Sequence, residues 1–246
     1  KTWEANPVDV TFSDFKIAVG VAGIRRWVPS YFARLENGES EVFSGRKFVD
    51  FEWSDPQGDS MHQILGNAVL MKANGGHNIW DCDRGLAPML TVEAPPRETW
   101  IAQVGFKMPK RVGNSHVGLV LWNGNEDKPV YALYFGPAGT NDVVISGSYR
   151  DDCSRTNRDL TKIVDNSGKF LIKYEGTSGL LRIIKTGTTF RFLVRLTGET
   201  TWQDLGSVLT TEKDGFNRIG MIAKTWSAQP VEVTFSDFTI LPGGWR

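Results

Sequence analysis

The chain has 246 residues, 28 Lys plus Arg against 28 Asp plus Glu, and two cysteines, Cys82 and Cys153. Zero net charge and the lack of any basic run exclude an electrostatic footprint for nucleic acid or an anionic membrane surface. No apolar stretch approaches the ~18 residues of a membrane-spanning helix, and a chain of this length buries about 70–75% of its unfolded surface without needing metal or disulfide.

The cysteines either form one disulfide, which would point to an oxidising compartment, or stay as thiols; without a CxxC they mark neither a zinc nor a redox site. Nine Trp, fourteen Phe and 26 Gly point to β structure with many turns. The chain starts at Lys1 without a signal peptide, as expected of a mature or excised fragment.

In chain order, "VDVTF" places Val8, Val10 and Phe12 on one face, and Phe15 and Ile17 then fall on the opposite phase. Such a shift in mid-strand predicts a β-bulge at the Ser-Asp pair. Residues 18–46 show no sustained period and read as a connector. Strands are expected at 47–53, 67–73, 99–108, 116–122, 130–136 and 142–148, then at 170–175, 180–187, 188–196, 218–224 and 231–240. "SDPQGD", "ANGG", "NGNED" and "LTGET" separate them as turns. No dozen residues keep a helical period, so the pattern predicts an all-β sandwich or jelly roll.

The first and last elements are copies. Residues 1–17 and 224–240 agree at thirteen of seventeen positions, and Val231, Val233, Phe235, Phe238 and Ile240 repeat the phase shift. The offset of 223 residues equals a 29-residue connector (18–46) followed by a 194-residue domain (47–240). A tandem array accounts for this: the chain opens on the last strand of a preceding repeat. The alternative is a single sandwich that uses two similar strands.

The segments "KFVDFEWSDPQGDSMHQILGNAVLMK", "HNIWDCDRGLAPML", "LLRIIKTGTTFRFLVRLTGETTWQDLG" and "RIGMIAKTW…VEVTFSDFTI" occur in an order that resembles the concanavalin A-like, laminin-G-like β-sandwich appended to bacterial β-xylosidases. The resemblance covers 47–240. It implies a jelly-roll sandwich of two antiparallel sheets at 47–246, extracellular, attached to glycan-degrading enzymes, which recognises a carbohydrate or packs against a catalytic neighbour.

Sandwiches of this kind also include glycosidases and lyases. Glycoside hydrolysis needs two carboxylates about 5 or 6.5–9.5 Å apart. Asp50 and Glu52, and Asp81 and Asp83, share strand faces, but the first pair reads as a solvated face and the E-x-D-x-x-E signature of laminarinase-type sandwiches is absent. His62, His77 and His116 form no HExxH and read as turn or surface histidines. The loops "DCDRG" and "NGNED" bring Asp81, Asp83, Asn125, Glu126 and Asp127 as oxygen donors for a structural calcium, without EF-hand spacing; no cofactor is required.

Aromatic binding remains. Sugar rings pack their C–H faces on Trp and Tyr, and polar side chains fix the hydroxyls. His116 and Trp122 share one face of 116–122, Tyr134 lies on a similar face, Trp80 sits beside His77 and Asn78, and Arg182 and Arg191 lie on polar faces. Trp80, Trp122 and Trp202 equally fit structural packing roles. The reading is a non-catalytic, secreted or surface carbohydrate-binding or accessory domain, whose partners are a poly- or oligosaccharide and a neighbouring domain of the same polypeptide. The alternatives are a structural or adhesive repeat of a surface array and a glycoside hydrolase or lyase.

A lone amphipathic strand exposes unpaired N–H and C=O groups, so residues 1–17 are expected to pair with a sheet edge of this molecule or a neighbour. Deleting 1–17 and measuring mass by light scattering separates the cases. A lost dimer means donation in trans; lost folding means the strand belongs to this domain's own core, against the tandem reading.

Overall fold

A computed structural model of the chain describes residues 51–78, 87–123, 130–150, 158–159, 171–210 and 215–242. All belong to the unit Val42–Arg246. They form strands only: β1 (Glu52–Ser54), β2 (Met61–Leu65), β3 (Ala68–Ala73), β4 (Met89–Glu93), β5 (Thr99–Lys107), β6 (Ser115–Trp122), β7 (Val130–Ala138) and β8 (Asp142–Arg150). Then follow β9 (Arg158–Asp159), β10 (Leu171–Lys173), β11 (Ser178–Thr186), β12 (Thr189–Leu196), β13 (Gln203–Leu209), β14 (Arg218–Thr225) and β15 (Val231–Pro242). The copy at 1–17, the connector 18–46 and both cysteines lie outside the described residues.

Two antiparallel sheets make a jelly-roll β-sandwich, as the alternation predicts. The first runs β1-β4-β14-β6-β7-β8-β10, with β9 on β8; the second runs β13-β12-β11-β5-β15-β3-β2. Alternate residues of each strand meet between the sheets. Val117, Leu119 and Leu121 of β6 and Leu133 and Phe135 of β7 face Leu181 and Ile183 of β11 and Phe190, Phe192 and Val194 of β12 in one core. Phe135 meets Phe192 edge-to-face across the layers, 5.4 Å between ring centroids, within the ~4.5–7 Å of favourable aromatic pairs.

The bulge expected in the closing strand is present. Val231, Val233, Phe235 and Phe238 are buried, and the pairing of β15 with β5 slips between Ser236 and Thr239. Asp237 takes φ 53°, its amide donates to Asn67 O at 3.1 Å, and its carboxylate accepts from Asn67 Nδ2 at 2.6 Å. The hairpin turn between β2 and β3 thus holds the bulge that turns both Phe235 and Phe238 inward.

Arg111 ties the turns at one end. Its guanidinium donates to the carbonyls of Gly139, Gly176, Ala138 and Asp142. Burial lowers its pKa, against the pull of Asp142 and Tyr174.

In the middle of the first sheet, β6 and β7 approach unusually closely at Gly118 and Gly136, with φ of 150° and 156°. A Cβ on Gly118 would lie 2.1 Å from Phe135 O, and one on Gly136 2.2 Å from Val117 O. Gly118→Ala is expected to destabilise the protein by about 3 kcal/mol or more, from strain and overpacking together. Urea unfolding checks this; a loss within about 0.5 kcal/mol, the range of an ordinary surface change, would contradict the close approach.

Candidate functional site

The outer face of the first sheet carries a set of polar side chains, Arg218, Lys224 and His116 among them. Its centre is not open. Ala87, Met89, Val120, Ala132, Tyr134 and Ile222 form a second buried cluster there, with Trp122 packed against it. Polar groups on this face must therefore find protein partners.

They gather at its two ends. At one, Arg218 donates Nε to Thr91 Oγ1 at 2.9 Å and pairs its Nη2 with Glu52 Oε2 at 2.7 Å. Arg218 is the cross-strand neighbour of Trp122, which is half-buried with its indole N–H enclosed and without a hydrogen-bond partner. At the other end stands Lys224, buried although its side chain is cationic. Its Nζ donates to Tyr134 Oη at 3.0 Å and to Asn78 Oδ1 at 3.3 Å. It also lies 4.5 Å from the centroid of the Tyr134 ring and 4.8 Å from that of Trp226. Cation–π attraction strengthens when the cation is desolvated, as here. Trp226 is 48% exposed, so this rim presents an aromatic surface to solvent with a cation behind it.

His116 pairs with Lys224 across β6 and β14 and packs edge-on to Tyr134, 4.7 Å between centroids. It is 2% exposed and its Nε2 is enclosed without a hydrogen-bond partner. Burial, then the charges of Lys224 and Arg111, hold its pKa well below the ordinary 6.5. A second cation beside Lys224 is thereby avoided.

The structure brings Trp122, Tyr134 and His116 onto this one face. Tyr134 is 1% exposed, so its hydroxyl serves Lys224 while its ring offers no face to a ligand. Arg182 lies elsewhere, on the outer face of the second sheet. It is buried, stacks 3.9 Å over the Trp202 ring and binds Gln103 Oε1 through Nε and Nη2. Trp202 thus packs down a loop, and Arg191, exposed, pairs with Asp204 at 2.8 Å. Trp80 and the calcium candidates Asp81, Asp83, Asn125, Glu126 and Asp127 lie outside the described residues, as does Asp50.

One histidine departs from expectation: His116 is enclosed in strand β6, where its ring packs on Tyr134. His77 lies in the turn at 74–78, as expected of a turn histidine, but is buried there with Asp59 as its partner. His62 alone is half-buried, stacked on Trp53 at 4.4 Å. The reading of the sequence also passed over Lys224 and Trp226. The signal was available: Lys1-Thr2-Trp3 recurs as Lys224-Thr225-Trp226 in the copied segment.

No protein-family model matches the chain, and no curated protein matches it significantly. Solved structures do share its fold. A functionally unknown protein from Saccharomyces cerevisiae is 16% identical with a TM-score of 0.56, over 80% of this chain and all of that one. A GH43 glycoside hydrolase engineered to display both endo-xylanase and exo-arabinofuranosidase activity is 15% identical with a TM-score of 0.55, over 82% of this chain. A GH43 protein from Bacillus licheniformis is 13% identical with a TM-score of 0.51, over 82% of this chain. The chain spans 41% and 38% of those two glycoside hydrolases. At these identities the likeness is one of fold.

The depressed pKa of His116 has a measurable consequence. Unfolded, a histidine titrates near 6.5; folded, His116 takes its proton only at lower pH. Below about pH 6.5 the unfolded chain therefore binds the extra proton, and stability falls as pH drops towards the folded value, by at most about 1.4 kcal/mol per pH unit from this group. Above about pH 6.5 the group is neutral in both states and contributes no slope. Urea unfolding at about pH 7.5 and about pH 5.5 should show a steeper loss in the wild type than in His116→Gln. Equal slopes would mean that His116 titrates normally.

Proposed function

We propose that this sandwich is a non-catalytic glycan-binding or accessory module of a secreted bacterial glycan-degrading or surface protein, of the kind appended to β-xylosidases. The observation that carries the reading is Trp226, half-exposed at the sheet rim with the Lys224 ammonium behind its ring and Asn78 beside that ammonium. An exposed indole gives a sugar ring a flat surface, and neighbouring polar groups fix its hydroxyls. The fold shared with GH43 chains, of which this chain matches about two fifths, supports a module beside a catalytic domain. Trp122 at the opposite end of the face and Trp80 are further aromatic candidates.

Calorimetry or affinity electrophoresis on xylan, arabinan, pectin and β-glucan tests this. One of these polymers should bind, and Trp226→Ala should weaken it at least about tenfold, ~1.4 kcal/mol. Undiminished affinity in that variant would remove Trp226 from the site. Release of reducing ends by the wild-type protein would overturn the non-catalytic reading.

A second reading is favoured by the copied segment. Thirteen identical positions between 1–17 and 224–240 fit a structural or adhesive repeat within a surface array. A full-length gene product made of serial copies, together with no affinity for any of the four polymers, would favour it over the first.

A further inference from the structure

Two turns at the Lys224 end of the sandwich bring together three side chains that neither the core nor the glycan reading uses. Asp55, Asp59 and His77 each direct a donor atom into one space, all within 4.8 Å of one another. The first turn is built by Gly58, whose amide donates to Asp55 O at 3.1 Å, and by Ser60, whose amide donates to Asp55 Oδ2 at 2.8 Å. Asn74 Nδ2 donates to Asp59 O at 2.6 Å and joins this turn to the second.

His77 is completely buried. Its Nδ1 lies 3.2 Å from Gly75 O. A carbonyl only accepts, so Nδ1 carries a proton. Its Nε2 faces Asp59 Oδ1 at 2.5 Å. A ring lone pair and a carboxylate oxygen repel at that distance, so a positive centre must lie between them, either a second ring proton or a metal ion.

A proton on Nε2 leaves Asp55 unexplained. Its Oδ1 is enclosed and has no hydrogen-bond partner, and neither has the enclosed Ser60 Oγ. An enclosed carboxylate oxygen without a donor is unfavourable unless a cation meets it.

We propose that Asp55, Asp59 and His77 hold a divalent transition-metal ion, with Zn²⁺ the best match. One imidazole nitrogen and two carboxylates suit zinc, and three protein donors leave a fourth position for water or for Ser60 Oγ. Calcium prefers six to eight oxygens. A zinc-bound histidine ordinarily donates its other N–H to a carbonyl or carboxylate, as His77 does to Gly75. Binding would widen the Nε2–Oδ1 gap to roughly 3.4 Å, the separation of two ligands about 2.1 Å from a tetrahedral ion. Asp59, with its side chain 49% exposed, has room to make that shift.

The ion would tie the turn at 55–60 to the turn at 74–78. The latter is already joined to the rim: Gly76 N donates to Ser227 O at 3.0 Å, and Thr225 N to His77 O at 2.9 Å. The site would thus brace the loop that carries Trp226, but it stands whether or not that rim binds sugar.

Calorimetric titration of the full chain with ZnCl₂, CaCl₂ and MgCl₂ tests the assignment, alongside Asp55→Asn and Asp59→Asn. One equivalent of Zn²⁺ should bind, and at a hundredfold excess over Kd the Tm should rise by about 5–10 °C. Each variant should weaken binding at least about 100-fold; Asp59→Asn, at a half-exposed position, should do so with an unchanged circular-dichroism spectrum. In the wild type, Zn²⁺ should shift the Nε2 ¹⁵N resonance of His77, a readout independent of any variant. No stoichiometric Zn²⁺ uptake, uptake undiminished in both variants, an unmoved His77 resonance, or Ca²⁺ bound in preference to Zn²⁺ would each overturn it.

Discussion

The first sheet is buried on both sides along its middle, and the chemistry of the protein follows from that. In β6 every residue from Ser115 to Leu121 is buried, and in β14 every residue from Ile219 to Thr225. A sandwich whose outer face met water would let Lys224 and His116 point outward at no cost. Here they cannot. Lys224 places its ammonium against the Tyr134 hydroxyl, the Asn78 amide oxygen and two aromatic rings. Buried cations persist only when their protons find acceptors or ring faces in this way. His116 takes the other course and stays neutral.

The same constraint places the rim. Asn78 reaches Lys224 only because the turn at 74–78 is docked on the loop after β14. Gly75 is in contact with Ala228 there so closely that a Cβ would lie 2.5 Å from Ala228 O. Once that turn is docked, Trp226 has the Lys224 ammonium under one part of its ring while about half of its surface remains in water. The buried lysine, the docked turn and the exposed tryptophan are therefore one arrangement. The centre of the sheet supplies its stiffness through the glycine crossing of β6 and β7, and Arg111 supplies it at the turns.

The second sheet solves the equivalent problem differently. Arg182 lies on its outer face, where a planar guanidinium can stack on Trp202 while its N–H groups bind Gln103. The loop at 197–202 thus serves as a cover. This arrangement accounts for Arg182 and Trp202 by packing; at the Lys224 end of the first sheet, by contrast, an aromatic surface and polar groups meet solvent.

Period-two alternation and turn residues determined the strands at β3, β5, β6, β7, β8, β10, β11, β12, β14 and β15, the sandwich itself, and the bulge at Ser236-Asp237. These are local properties: each needs only which neighbours along the chain are apolar. Four strands escaped; β9 has two residues, too short for any period to show, and the other three have physical reasons. Met89–Glu93 is buried on both faces and so does not alternate; Gln203–Leu209 is broken by the slip opposite Phe192 and Leu193; Met61–Leu65 is an edge strand that leaves Met61, Ile64 and Leu65 exposed. The site was less legible. The residue types at His116, Trp122 and Tyr134 were visible, but their burial depends on what covers the outer face. That Arg182 belongs to a different face depends on which strands join which sheet. That Asp55, Asp59 and His77 converge depends on two turns docking across the end of the sandwich, with Asp59 and His77 18 residues apart in the chain. Sequence fixes what each strand can bury on its own; only the tertiary structure decides which polar groups are left inside and which partners they meet there.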